Sequence, residues 1–171
     1  CVGHNRYSTS GYTVENGIIV ENELQPLKGT VKTETYYLVH NGNIPSADGH
    51  DTSRLVELID SLQYMDIEDI LTFIVRAIPA AFCLILLFED RVYVVRDRYG
   101  IRPMCLGQHN DSYYVSSETH GLGDASFIRD VKPGEIIRID YQGIKSIFLH
   151  PESQLSLCTF EILYFANENS V

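Results

Sequence analysis

The sequence predicts an α+β domain in which two helices pack on antiparallel sheet. Three observations predict it. Two successive amphipathic helical stripes fill residues 51–78. Three pairs of short β-rich runs follow, each pair joined by a tight polar link. Helices and strands stand in separate blocks rather than alternating, which favours layered α+β packing over a parallel α/β sheet.

In the first stripe Leu55, Leu58, Ile59 and Leu62 recur at i, i+3, i+4 and i+7, and Asp51 stands where an N-cap belongs. In the second the apolar residues are Ile67, Ile70, Leu71, Ile74 and Ile78, with Asp66 ahead of them and Pro79 as the stop. Both stripes are core faces and carry no chemistry. Residues 80–88 and 92–96 flank Glu89-Asp90-Arg91 as a hairpin, residues 104–108 and 113–117 form a second, and residues 135–139 and 144–149 a third. Links this short impose antiparallel pairing. Ahead of the helices, residues 1–8 read as a short strand entering a loop and residues 9–34 as polar and turn-rich. Residues 35–40 read as a strand that ends in a turn at Asn41-Gly42-Asn43. The tail from 151 to 171 starts polar and becomes apolar at 158–165.

A chain of 171 residues is long enough for one domain with a real core. A formal net charge of −10 argues against a nucleic-acid partner held by phosphate neutralisation. No apolar run is long enough to span a bilayer, so no membrane partner is expected. Cys1, Cys83, Cys105 and Cys158 are far apart and show no CxxC spacing, which speaks against a disulfide framework or a zinc site and for a reduced, cytoplasmic setting. The six histidines lack metal-ligand spacing, and no GxSxG, phosphate-loop, HExxH or EF-hand pattern occurs. Neither a metal nor a cofactor is expected.

The informative segments are Gly3-His4-Asn5-Arg6-Tyr7-Ser8-Thr9, then His40-Asn41-Gly42-Asn43, then His50-Asp51-Thr52. Further along come Arg96-Asp97-Arg98-Tyr99-Gly100-Ile101-Arg102-Pro103, Ser116-Ser117-Glu118, Pro133-Gly134-Glu135 and the stretch from Cys158 to Ala166. Singly each has an ordinary explanation: Asn-Gly-Asn is a turn, Asp51 a helix cap, Arg6 a surface charge, Pro133-Gly134 a turn before a strand. In this order they resemble the type II glutamine amidotransferases, which are N-terminal-nucleophile hydrolases, and within them the amidophosphoribosyltransferase branch of purine biosynthesis.

The resemblance implies an αββα sandwich of antiparallel sheets, incomplete at the N-terminus, and hydrolysis of glutamine to supply ammonia. It implies that residues 1–150 form the amidotransferase domain and residues 151–171 a bridge toward a phosphoribosyltransferase domain that these residues do not include. It places Asn41 and Gly42 as the oxyanion hole, Arg6 on the glutamine α-carboxylate and Asp51 on its α-ammonium. Those residue types suit the ligand: a guanidinium fork fits a carboxylate, and a glycine lets a backbone N–H approach closely.

The nucleophile is left unassigned. In the family it is a first-residue cysteine, far upstream of the Gly-His motif, whereas Cys1 directly precedes that motif with Val2 between. Five extended residues span about 16 Å, so Cys1 and Arg6 could reach one glutamine only through a sharp reversal. Cys1 therefore reads as a boundary residue, and the chain as inactive alone. The link from Asn43 to Asp51 is shorter than the family's, and Ser53 stands where the family has glutamate. No iron–sulfur cluster is expected at Cys158. Two other readings stay open: an active glutaminase with Cys1 as a relocated nucleophile, and a degenerate, non-enzymatic glutamine-binding or interaction domain. Self-association, or association with a missing complementary domain, is expected because unpaired sheet edges attract partners.

Overall fold

The computed structural model describes residues 1–5, 12–15, 18–21, 24–45, 51–156 and 158–159. Its centre is a six-stranded antiparallel sheet. The strands are β3 (Leu27–Val31), β4 (Glu34–Asn43), β5 (Ala81–Leu87), β6 (Val92–Arg96), β10 (Glu135–Asp140) and β11 (Gly143–Leu149), in the order β11-β10-β6-β5-β4-β3. A smaller sheet, β8-β7-β9, is built from β7 (Cys105–His109), β8 (Ser112–Ser116) and β9 (Ser126–Asp130). A separate hairpin joins β1 (Tyr12–Glu15) to β2 (Ile18–Glu21). Every pairing is antiparallel.

The alternation of side chains along β5 divides the core in two. Phe82, Leu84 and Leu86 face the helices, where they meet Leu55 and Ile59 of α1 (Asp51–Ser61) and Ile70, Leu71 and Ile74 of α2 (Ile67–Ala77). Cys83 and Ile85 face the other way and pack with Val94 and Ile137 against Met104 and Leu106 of the smaller sheet. The described residues thus stack as helices, large sheet, small sheet. Each fully buried Leu or Ile in these layers contributes on the order of 1.5–3 kcal/mol.

Helices and hairpins follow the sequence pattern to within a residue or two. Asp66 sits at the N-cap of α2 with extended backbone, but its carboxylate makes no cap bond and pairs with Lys32 instead. Four expectations are corrected. Residues 1–5 form no strand. The polar stretch 9–34 contains β1, β2 and β3. Asn41-Gly42-Asn43 is no turn: it completes β4, because β5 supplies partners out to Asn43 opposite Ala81. The fourth correction is β9, which has no apolar face: Phe127 and Ile128 are both exposed, so no alternation announces it. The apolar tail beyond 159 lies outside the described residues.

β4 is ten residues long and its outer neighbour β3 only five. Their pairing ends at Leu27 opposite Leu38. Pro26 comes next, and the strand goes no further. The last residues of β4 therefore overhang β3. Beyond residue 150 the chain stays attached to the domain, with Gln154 and Ser156 donating to the carbonyls of Arg98 and Tyr99.

Candidate active site at the end of β4

The sheet sends the three residues at the end of β4 in three directions. Phe82 uses both its N–H and its C=O on Asp97, toward β6. Gly42 pairs with Phe82, so the pair is of the kind whose amides point away from each other. The Gly42 N–H is consequently directed to the edge that β3 leaves uncovered. Asn41 faces Cys83 across the ladder and shares its side of the sheet, toward the smaller sheet. There its Nδ2 donates to Ser117 Oγ at 3.3 Å. An amide nitrogen has two hydrogens, so one remains to meet a ligand.

Position 42 tolerates no side chain. A Cβ there would lie 2.2 Å from the carbonyl oxygen of Ala81, 2.7 Å from Phe82 Cα and 2.9 Å from His40 Nε2. Two of those obstacles are backbone atoms, which cannot swing aside.

His40 lies on the helix face and is buried, with its Nδ1 3.2 Å from Thr52 Oγ1 and 3.7 Å from Asp51 Oδ2. Asp51 opens α1. Its Oδ2 accepts from the N–H of Ile44 at 3.2 Å, and its Oδ1 from the N–H of Thr52 at 2.9 Å. The carboxylate thus ties the strand end to the helix start. Two ionised oxygens offer about four acceptor positions, so these bonds leave capacity for an ammonium group. The structure therefore sets Asp51 beside the chain that leaves β4, two residues beyond Gly42 and three beyond Asn41. Arg6 and His50 lie outside the described residues. Cys1 is exposed and unbonded to another cysteine.

The other motif segments serve the scaffold. The buried Arg96 donates to the carbonyls of Gly100, Arg102 and Val131 at 2.9, 2.8 and 2.5 Å. Asp97, also buried, accepts from the N–H groups of Phe82 and Tyr99, while its backbone carbonyl accepts from Gly134 at 2.7 Å. Burial raises the Asp97 carboxyl above its usual range, against the opposing pull of those N–H donors. Gly100 and Gly134 adopt φ of +59° and +69°, which closes the turns around this knot. Glu135 is gripped by Arg129 at 2.8 and 2.9 Å and by the N–H of Lys132 at 2.8 Å. The expectation of a simple turn at Pro133-Gly134 fits.

Cys83 and Cys105 have no nucleophile's surroundings. Cys83 is buried with its sulfur 3.6 and 3.7 Å from the carbonyls of Arg102 and Pro103. Burial, assisted by the charge of Asp130, pushes the Cys105 thiol up to about 11. Among the described residues no group of acidic, histidine or cysteine side chains could hold a metal ion. A cleft of about 380 Å³ opens at the opposite end of β4, beside Glu34, Arg91 and Glu68. Seven strand residues, about 23 Å, separate it from Asn41. Its charges are paired with one another: Arg91 holds Glu34 at 2.7 and 2.9 Å, and Tyr93 donates to Glu68 at 3.1 Å. The concavity is lined by ion pairs.

Gln25, Thr52 and Ser117 are the neighbours of the site that sequence reasoning missed as functional residues. Thr52 and Ser117 stood inside quoted motifs, whereas nothing marked Gln25 beyond the proline that follows it.

Two helices on antiparallel sheet, backed by a second sheet, define an α+β domain of the N-terminal-nucleophile hydrolase fold, as the solved structures similar to it show. The solved glutamine phosphoribosylpyrophosphate amidotransferase of B. subtilis, complexed with ADP and GMP, superposes with a TM-score of 0.82 and 26% identity, over 98% of this chain and 39% of that one. A structure described as the allosteric regulatory enzyme of purine biosynthesis gives 0.77 and 26%, over 86% and 36%. The sequence profile of the glutamine amidotransferase domain matches residues 13–124, and the chain belongs to that family.

Within the family the chain is amidophosphoribosyltransferase-like. It is 31% identical to the amidophosphoribosyltransferase of Mycobacterium leprae and 33% identical to the chloroplastic amidophosphoribosyltransferase 3 of Arabidopsis thaliana, in each case over 99% of its own length. It spans 34% of the length of each.

Proposed function

We propose that the chain is the glutamine-handling part of an amidophosphoribosyltransferase-like protein of purine biosynthesis, which releases ammonia from the glutamine side chain. The observation that carries this is the corner at the end of β4: a Gly42 N–H directed past the edge of β3, the Asn41 amide beside it, and Asp51 on the adjoining helix. A thiol adds to the side-chain amide carbon, and the carbonyl oxygen becomes an oxyanion. Asn41 Nδ2 and Gly42 N donate to that oxyanion. The C–N bond then breaks, the departing nitrogen takes the thiol's proton and leaves as ammonia, and water hydrolyses the thioester to glutamate and the free thiol. Asp51 receives the α-ammonium and Arg6 the α-carboxylate.

The thiol is not Cys1, and the 171 residues are inactive alone. Residues 151–171 lead toward a phosphoribosyltransferase domain. The reading extends to action in the cytoplasm, without nucleic acid or a membrane. It associates with itself or with a complementary segment, as the exposed Phe127 and Ile128 on β9 favour. A clean monomer in size-exclusion chromatography contradicts that last point.

Titration calorimetry tests the central reading. The chain binds L-glutamine, and Asp51→Ala weakens that binding by roughly tenfold or more, as expected for a lost charge-assisted contact. Absence of binding by the unaltered chain overturns the assignment. Ammonia release that disappears in Cys1→Ser would instead make Cys1 the nucleophile. A second reading, a non-enzymatic glutamine-binding domain, is favoured by one observation: the thiols of Cys83 and Cys105 are buried, while Asn41 and Asp51 keep hydrogen-bonding capacity at the end of β4. Glutamine binding with no hydrolysis after a cysteine-bearing N-terminal segment is supplied would select it.

A further inference from the structure

Gln25 stands where β3 would continue. In the register that sets Leu27 opposite Leu38, residue 25 faces His40. Its side chain takes over the ladder at that point: Oε1 accepts from the backbone N–H of His40 at 2.6 Å, where a strand carbonyl would otherwise sit. Its Nε2 donates to Thr52 Oγ1 at 3.1 Å. Thr52 Oγ1 in turn lies 3.2 Å from His40 Nδ1, which closes a three-residue ring. Thr52 is 1% and His40 3% exposed, so the ring is shielded from competing water. One side of it holds β4, two residues before Gly42. The other holds the first turn of α1, one residue after Asp51.

We propose that Gln25 is a positioning residue for glutamine recognition: its amide fixes the spacing between the Asn41–Gly42 donors and the Asp51 carboxylate. The inference rests on the reading of the site given above. A glutamine molecule must satisfy both groups at once, so its affinity follows their separation, and small misplacements are costly. Direct contact between Gln25 and the ligand is not required.

Titration calorimetry with L-glutamine on the 171-residue chain tests it with four variants. Gln25→Leu and Thr52→Val each raise Kd roughly 5–10-fold, the scale of one buried hydrogen-bond linkage. Thr52→Ser, which restores the hydroxyl, stays close to the unaltered chain. The double variant Gln25→Leu with Thr52→Val loses less than the product of the two single losses, because the Gln25–Thr52 bond is broken in both. A merely structural role gives losses that add and that Thr52→Ser does not rescue, and either result overturns the inference. Thr52→Val is nearly isosteric and keeps the test alive if Gln25→Leu fails to fold. If the unaltered chain binds L-glutamine and both single variants bind it equally well, the inference falls while the reading of the site stands. If the unaltered chain does not bind, both fall together.

Discussion

Asn41, Cys83 and Arg96 lie on one rung of the large sheet, Asn41 opposite Cys83 and Cys83 opposite Arg96. At one end of the rung the guanidinium of Arg96 is turned onto three carbonyls and is 5% exposed. At the other end Asn41 is half-buried and gives one hydrogen to the exposed hydroxyl of Ser117. Both residues belong to the family-like motifs. The difference teaches that a motif can mark a fold as readily as a reaction, and that saturation of its donors tells the two apart. A polar group whose partners are all internal holds the scaffold, and one with spare capacity at an open edge can meet a ligand.

Four measurements break or sharpen that contrast. Arg96→Ala leaves three carbonyls without their donor and lowers stability by about 3–5 kcal/mol in urea unfolding. Under conditions where the variant is folded, its glutamine affinity stays near that of the unaltered chain; a selective loss of affinity would erase the distinction. Asn41→Ala does the reverse. In a preparation that supplies the thiol, kcat falls by about 10²–10³, the range seen when one oxyanion donor is removed, with little change in unfolding free energy.

Glu135→Gln probes the scaffold by pH. Burial pushes this carboxyl up, but Arg129 and the Lys132 N–H outweigh it and hold it below the ordinary value of 4.5. A lowered folded pKa gives stability that is present above 4.5 and lost as pH falls through the folded value. The variant is therefore less stable by about 1–2 kcal/mol near neutral pH, and the gap closes in acid. A gap that is constant with pH contradicts this. The smallest effect is expected for Ser117→Ala, which frees the Asn41 amide to rotate. It lowers kcat about 2–5-fold and leaves unfolding unchanged, since the contact is exposed.

Much of this was legible in the sequence because burial imposes periodicity. The stripe from Ile67 to Ile74 and the alternation of Phe82, Leu84 and Leu86 each match one wet and one dry side. Where both sides are wet, as at Phe127 and Ile128 of β9, no period forms and the strand went unseen. Asn-Gly-Asn reads locally as a turn, and only the distant partner strand keeps it extended to Asn43. For the site, Asn41, Gly42 and Asp51 were legible through their motifs. Gln25 was not, since it acts by completing a ladder whose other half lies fifteen residues away.

The shortness of β3 has a chemical meaning. An amide hydrogen cannot serve a lattice and a guest at once. Were the outer strand two rungs longer, the Gly42 hydrogen would become one more anonymous tie between neighbours, and the corner would fall silent with its shape intact. β3 stops at Leu27, so the length of a strand that touches no reactant decides whether the protein keeps a hydrogen to offer.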